Sequence, residues 1–169
     1  LSHFEEVENV LRVERPEIIC HLASSIAYVR ESFLHPEKSL GDVLYAINLF
    51  EAAKKFDVKH IIFSSSSSVY ENRNNLQSED SKINPLSPLG ISKIMVEDYI
   101  GYLANTTNII FTTLRYFNAF GPRQRLREFS GIIPNAIIKA LKNEEITIFG
   151  DGNQTRDFIY VDDIARANL

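Results

Sequence analysis

Three stretches of the chain carry side chains whose types and spacing could do chemistry. Five consecutive serines, Ser64 to Ser68, directly follow the apolar run Ile61-Ile62-Phe63 and precede Val69-Tyr70. Hydroxyls in that setting read as a polar site at the end of a buried strand rather than as low-complexity linker. The segment Ser87-Pro88-Leu89-Gly90-Ile91-Ser92-Lys93 sets an ammonium four residues after a leucine, on one helix face. Lys93 alone would be a solvated helix lysine; the pattern around it raises its interest. The segment Gly150-Asp151-Gly152-Asn153-Gln154 reads as a turn, and its interest comes from the Arg156-Asp157-Phe158 that follows. The thiol of Cys20, the single cysteine, lies in the apolar run Ile18 to Leu22 and is expected to be buried and inert, with His21 beside it a satisfied core residue.

These groups need elements to hold them. Ser2 with Glu5 is a capping-box signature, and Phe4, Val7, Val10 and Leu11 recur at helical spacing to about Arg15. Glu17 to Ala23 is apolar without alternation, the pattern of a strand covered on both faces. Residues 36–56 read as a long helix, and Lys59 to Ser65 as a second buried strand. Ser87 as N-cap with Pro88 at the first helical position opens a helix to about Ala104. Ile109 to Phe117 is a third strand, followed by a Gly/Pro loop, a helix from about Ile133 to Leu141, a short strand Ile146-Thr147-Ile148-Phe149-Gly150, and a last turn, strand and helix. Glu71 to Asn84 is polar and turn-prone, an exposed loop.

Helix and strand alternate, and the connections are long enough for right-handed crossovers between parallel strands. The class is therefore α/β with a doubly wound parallel sheet. Such sheets bind ligands at the carboxyl ends of their strands, which singles out Ala23 to Ser25, Ser64 to Ser68, and Tyr116 to Asn118.

Composition narrows the partners. The chain has 169 residues, 44% hydrophobic and 24% charged, with a net charge of -4, and offers no basic face for nucleic acid or an anionic membrane. A disulfide framework is excluded, which suits a reducing cytoplasm. No apolar window reaches the roughly 18 residues needed to span a bilayer. The sequons at Asn105 and Asn153 are read as chance, no metal ligands are assigned, and the opening on Leu1 inside a helical pattern suggests a cut sequence.

Five ordered motifs resemble one family: His21-Leu22-Ala23-Ser24, Ser64 to Tyr70, Pro85 to Glu97, Leu114 to Gln124, and Gly150 to Asp163. The chain is similar to the extended short-chain dehydrogenases/reductases, and within them to NAD-dependent epimerases acting on nucleotide sugars. The resemblance implies a Rossmann-like fold, incomplete at the N-terminus, with a partial NAD-binding domain over 1–120 and a partial nucleotide-sugar-binding region over 121–169. In the family a serine and a Tyr-x-x-x-Lys pair handle the proton while nicotinamide takes hydride from the sugar. A free phenol, with a pKa near 10, needs a lysine and the nicotinium charge to become a useful base at pH 7. Carried over position by position, the serine is Ser66 and the lysine Lys93. Ala23, Ser24, Asp42, Ser64, Lys93 and Tyr116 are the implied NAD contacts; Ser66, Phe117, Asn118 and Arg156 face the substrate.

The departures matter as much. Leu89 occupies the tyrosine position and has no proton to exchange, so the chain is expected to epimerise at best weakly. Asp42 replaces an asparagine near the cofactor, and Tyr45-Ala46 replace Gly-Thr. None of the seven glycines forms the family's glycine-rich pyrophosphate turn. Ser67 and Ser68 stand where 4,6-dehydratases carry Asp-Glu, which favours epimerisation of a UDP-hexose or UDP-N-acetylhexosamine. The alternative is a non-catalytic nucleotide-sugar-binding or dimerisation module. Relatives pair helices equivalent to 36–56 and 87–104 across a homodimer, and a sheet without its first strands would leave an apolar flank open.

Overall fold

The computed structural model describes the chain except residues 27, 72–75, 125–130 and 149. It divides into two compact units, Leu1–Arg115 and Tyr116–Leu169.

The first unit is a three-stranded sheet under a layer of helices. Strands β1 (Ile18–His21), β2 (His60–Ser66) and β3 (Ile110–Tyr116, whose last residue opens the second unit) lie in the order β1-β2-β3. Strand β1 pairs parallel with β2, Ile18 opposite His60 through His21 opposite Phe63. Helices α1 (Phe4–Glu14), α3 (Pro36–Ala53) and α4 (Pro88–Thr106) cover one face, where Val7, Leu11, Phe50, Ile61, Phe63, Val96 and Leu103 form the core. A short helix α2 (Val29–Leu34), which the sequence reading missed, packs on α3 and α4.

The local signals act as expected at α4. The Ser87 hydroxyl accepts from the Gly90 N–H at 3.1 Å, and Pro88 fills the first turn. Gly90 lets the helix come close: a Cβ there would lie 2.3 Å from the Ser68 carbonyl oxygen. That oxygen belongs to a 3-10 turn, Ser67–Val69, directly after β2.

Three expectations are corrected in this unit. The N-cap of α1 is His3, with no side-chain cap bond; Ser2 and Glu5 each fall one position away from the capping-box register. Val10 of the proposed stripe is 55% exposed. Strand β1 is covered on one face only: Ile19 packs against the core and His21 is buried, while Ile18 and Cys20 are exposed. Alternation (period two) sends those two side chains away from the helices, so Cys20 is not the buried thiol expected. Leu22 and Ile110 are likewise exposed, at 55% and 63%, while Ile62, opposite Cys20 on β2, is buried.

In the second unit β4 (Asn118–Phe120) pairs parallel with β5 (Phe158–Tyr160), Asn118 opposite Phe158. Phe120 meets the rings of Phe158 and Tyr160 at 6.3 and 5.6 Å. Helix α5 spans Ile132–Leu141, and α6, Val161–Ala167, follows β5 directly. The expected strand at 146–150 does not form among the described residues there. Ile146 and Ile148 are 44% and 64% exposed, with no ladder to complete; Phe149 lies outside the described residues, as does the 72–75 part of the expected loop. Among the described residues no helix is long and apolar enough to cross a membrane.

Candidate functional site

In the first unit the predicted residues gather at the carboxyl ends of β1 and β2. After β1 the chain turns through Ala23, Ser24 and Ser25, and Asp42 of α3 holds this turn. Its carboxylate accepts from the Ser25 N–H at 2.8 and 3.0 Å and lies 2.7 Å from the Ser24 hydroxyl. Asp42 thus ties a loop to a helix.

After β2, Ser66 is the N-cap of the 3-10 turn. Its hydroxyl accepts from the Ser68 N–H at 3.1 Å and from the Ser68 hydroxyl at 3.0 Å. Both bonds use Ser66 as acceptor and leave its own proton available. Lys93, 8% exposed, donates to the Ser64 carbonyl at 2.8 Å and sits 5.0 Å over the Phe63 ring. Burial lowers its pKa from the usual lysine value, while the charges of Asp42 and Glu97 push it back up.

Two neighbours take the roles that their surroundings allow. His21, 5% exposed, stacks on Phe63 at 5.7 Å and meets Phe50 edge-on at 6.0 Å. Burial first and the Lys93 charge second lower its pKa to about 4, with Asp42 opposing, so it is a neutral core ring as expected at pH 7. Leu89 lies one turn before Lys93 on α4 and is buried at 5% exposure.

A group that the sequence reading did not find lies one helical turn after Lys93. Glu97 receives Arg115 through two nitrogens, Nη2 at 2.7 Å and Nε at 3.2 Å, and also accepts from the Ser65 hydroxyl. Arg115 donates to the Tyr70 hydroxyl at 2.9 Å and to the Glu79 carbonyl at 3.3 Å, with its guanidinium 5.0 Å over the Tyr70 ring. The Glu97 carboxylate, foremost, raises the Arg115 pKa further. The available signal was the Glu at i+4 from Lys93, which faces β2 with it.

The remaining predicted residues belong to the second unit. Tyr116 exchanges hydrogen bonds with Asn168, donating to Oδ1 at 2.9 Å and accepting from Nδ2 at 2.6 Å. Phe117 is half-buried. Asn118 donates its backbone N–H and its side-chain amide to the Asp157 carbonyl at 3.1 and 2.9 Å, while Arg156 is exposed and donates to the Thr155 carbonyl at 2.8 Å. Beside β4 and α5 lies an open hollow of about 340 Å³ lined by Phe120, Arg123, Gln124, Ile133, Pro134 and Ile137.

Known proteins share both the sequence and this architecture. A putative UDP-glucose 4-epimerase of Methanocaldococcus jannaschii is 42% identical over 169 residues, covering 98% of this chain and 55% of the relative. The crystal structure of the Thermotoga maritima UDP-glucose 4-epimerase with UDP-glucose superposes with a TM-score of 0.93 at 35% identity, over 99% of this chain and 55% of that one. A UDP-N-acetylglucosamine 4-epimerase from Methanobrevibacter ruminantium, in complex with UDP-N-acetylmuramic acid, gives a TM-score of 0.89 at 37% identity, over 96% and 53%. The chain thus spans about half the length of these relatives. With the strand-end serines and lysine in place and all of residues 1–169 matched by the family's pattern, the chain belongs to the NAD-dependent epimerase/dehydratase family.

Proposed function

We propose that this chain is part of an NAD-dependent nucleotide-sugar epimerase that inverts C4 of a UDP-hexose, and that Leu89 leaves its activity weak. The observation that carries the reading is the convergence of Ser64, Ser66 and Lys93 where β2 ends beneath α4.

The donor set fits the nicotinamide-ribose end of NAD. An ammonium has three N–H donors and Ser64 takes one, so Lys93 can also serve ribose hydroxyls. Ala23, Ser24, Asp42, Ser64 and Tyr116 would complete the contacts. NAD, when bound there, would supply the hydride chemistry at the sugar's C4. The Ser66 hydroxyl orients and stabilises the sugar C4 oxygen. Phe117 and Asn118 hold the substrate, and Arg156 pairs with its diphosphate in a charge-assisted fork. Leu89 supplies no acid or base, a loss on the order of 10² to 10⁴ in rate.

The test is UDP-glucose to UDP-galactose turnover by the full reading frame that carries these residues, before and after Leu89→Tyr. Weak turnover raised on the order of 10²-fold or more by Leu89→Tyr supports a damaged epimerase. Turnover at the family's ordinary rate with Leu89 intact overturns the claim of weakness. The buried, proton-less Leu89 favours a second reading, a non-catalytic nucleotide-sugar-binding or dimerisation module, and UDP-sugar binding with no rescue would select it. Supporting a homodimer through α3 and α4 are their exposed apolar residues Leu40, Leu44, Ile91, Met95 and Tyr102; a monomer by light scattering would remove that part. The single cysteine supports residence in the cytoplasm.

A further inference from the structure

Lys93 and Glu97, on successive turns of α4, bond successive residues of β2. Lys93 takes the Ser64 carbonyl and Glu97 takes the Ser65 hydroxyl. Strand alternation sends the Ser65 side chain to the face opposite Ser64 and Ser66. Ser65 is accordingly 3% exposed, whereas Ser64 and Ser66 are only half-buried. Gripping the strand at two adjacent points, one backbone and one side chain, fixes its rotation about its own axis, and Ser66 is the next residue. The carboxylate that makes the second grip is itself locked: Arg115 holds it from β3 with both side chains largely buried, 12% exposed for Glu97 and 21% for Arg115. A two-nitrogen Arg–carboxylate pair is the geometry that leaves least rotational freedom.

We propose that Glu97 is a positioning residue: with Lys93 it clamps the end of β2 to α4, and so sets the direction of the Ser66 hydroxyl, while Arg115 keeps the carboxylate in place. The assignment rests on the reading of Ser66 and Lys93 given under the proposed function.

Two arms test it in the full reading frame. In a Leu89→Tyr background, Ser65→Ala cuts the clamp without touching the ion pair, Glu97→Ala removes it, and Glu97→Gln retains an acceptor for Ser65. The expected result is a fall in kcat on the order of 10²-fold for Ser65→Ala and Glu97→Ala, with KM changed less than about threefold, and recovery of most of kcat in Glu97→Gln. An unchanged kcat, or KM rising in step with a falling kcat, overturns the proposal. The second arm uses Leu89 protein and acetic anhydride, with Lys93 acetylation read by peptide mass spectrometry against Lys55 as reference. Ser65→Ala should speed Lys93 acetylation about tenfold, as a freed ammonium leaves its shielded seat; an unchanged rate overturns the clamp whether or not the enzyme turns over. If Leu89→Tyr yields no turnover, the epimerase reading is what has failed, and the acetylation arm alone decides the clamp.

Discussion

The two units position their candidate side chains by different means. In Leu1–Arg115 the candidate residues stand on a packed core: Phe50, Ile61 and Leu103 have no exposure, and His21, Ser65, Leu89 and Lys93 are themselves buried. In Tyr116–Leu169 no described residue is buried; Asn118 is oriented by the Asp157 carbonyl just before the neighbouring strand β5, and Arg156 by the adjacent Thr155 carbonyl. Burial in the first unit fixes both direction and protonation, as the low His21 pKa and the lowered Lys93 pKa illustrate. In the second, the guanidinium and amide lie at the surface, where each keeps donors for water beyond the one engaged by a backbone carbonyl. Substitutions should therefore cost stability in the first unit and ligand affinity in the second.

Phe50→Ala offers the largest expected break of that contrast. It should lower unfolding free energy by about 4 kcal/mol, by urea denaturation, because a fully buried ring leaves a cavity beneath β2. A cost below about 1 kcal/mol would show that the first unit's core does not carry its fold. Acidification comes next. The His21 pKa is about 4 when folded against an ordinary histidine value of 6.5, so the folded state binds its proton less well than the unfolded state. Its penalty is absent above 6.5, grows as pH falls from there to about 4, and amounts to about 3 kcal/mol below that range. His21→Phe should flatten this limb of the stability–pH curve; an unchanged limb would place the acid sensitivity elsewhere. Ser87→Ala should cost about 1 kcal/mol through the lost α4 cap, seen as a lower urea midpoint. Smallest is Arg156→Ala, with stability altered by less than about 0.5 kcal/mol while UDP-sugar affinity, by calorimetry, falls. A large stability loss there would erase the distinction between the units.

What the sequence disclosed follows the same division between local and tertiary causes. The α4 start was legible because Ser87 and Pro88 act on their own backbone, and β2 because an apolar run bounded by serines needs no further information. Strand β1 was misread in its exposure: which face is covered depends on which helices arrive, and Cys20 is exposed, outside the core that α1, α3 and α4 form. The run at 146–148 has β-forming residues but gains no partner strand among the described residues, while Asn118–Phe120, read as loop, gains one in β5. The capping box at Ser2 was displaced by a single residue, enough to remove its geometry. At the site, Ser66 and Lys93 came from pattern, whereas the Glu97–Arg115 pair joins a helix to a strand 18 residues later, and the i+4 spacing of Glu97 from Lys93 does not point to its partner.

The absent side chain at Gly90 acts as a depth stop for α4. With the Ser68 oxygen 2.3 Å and the Pro85 Cβ 2.9 Å from where a Cβ would stand, there is no room for one. An alanine at that position would lift the first turn of the helix and carry residue 89 and Lys93 away from β2 together. A change at residue 89, by contrast, inherits a seat already set to depth. Identity at one position and distance at the next are thus independently adjustable.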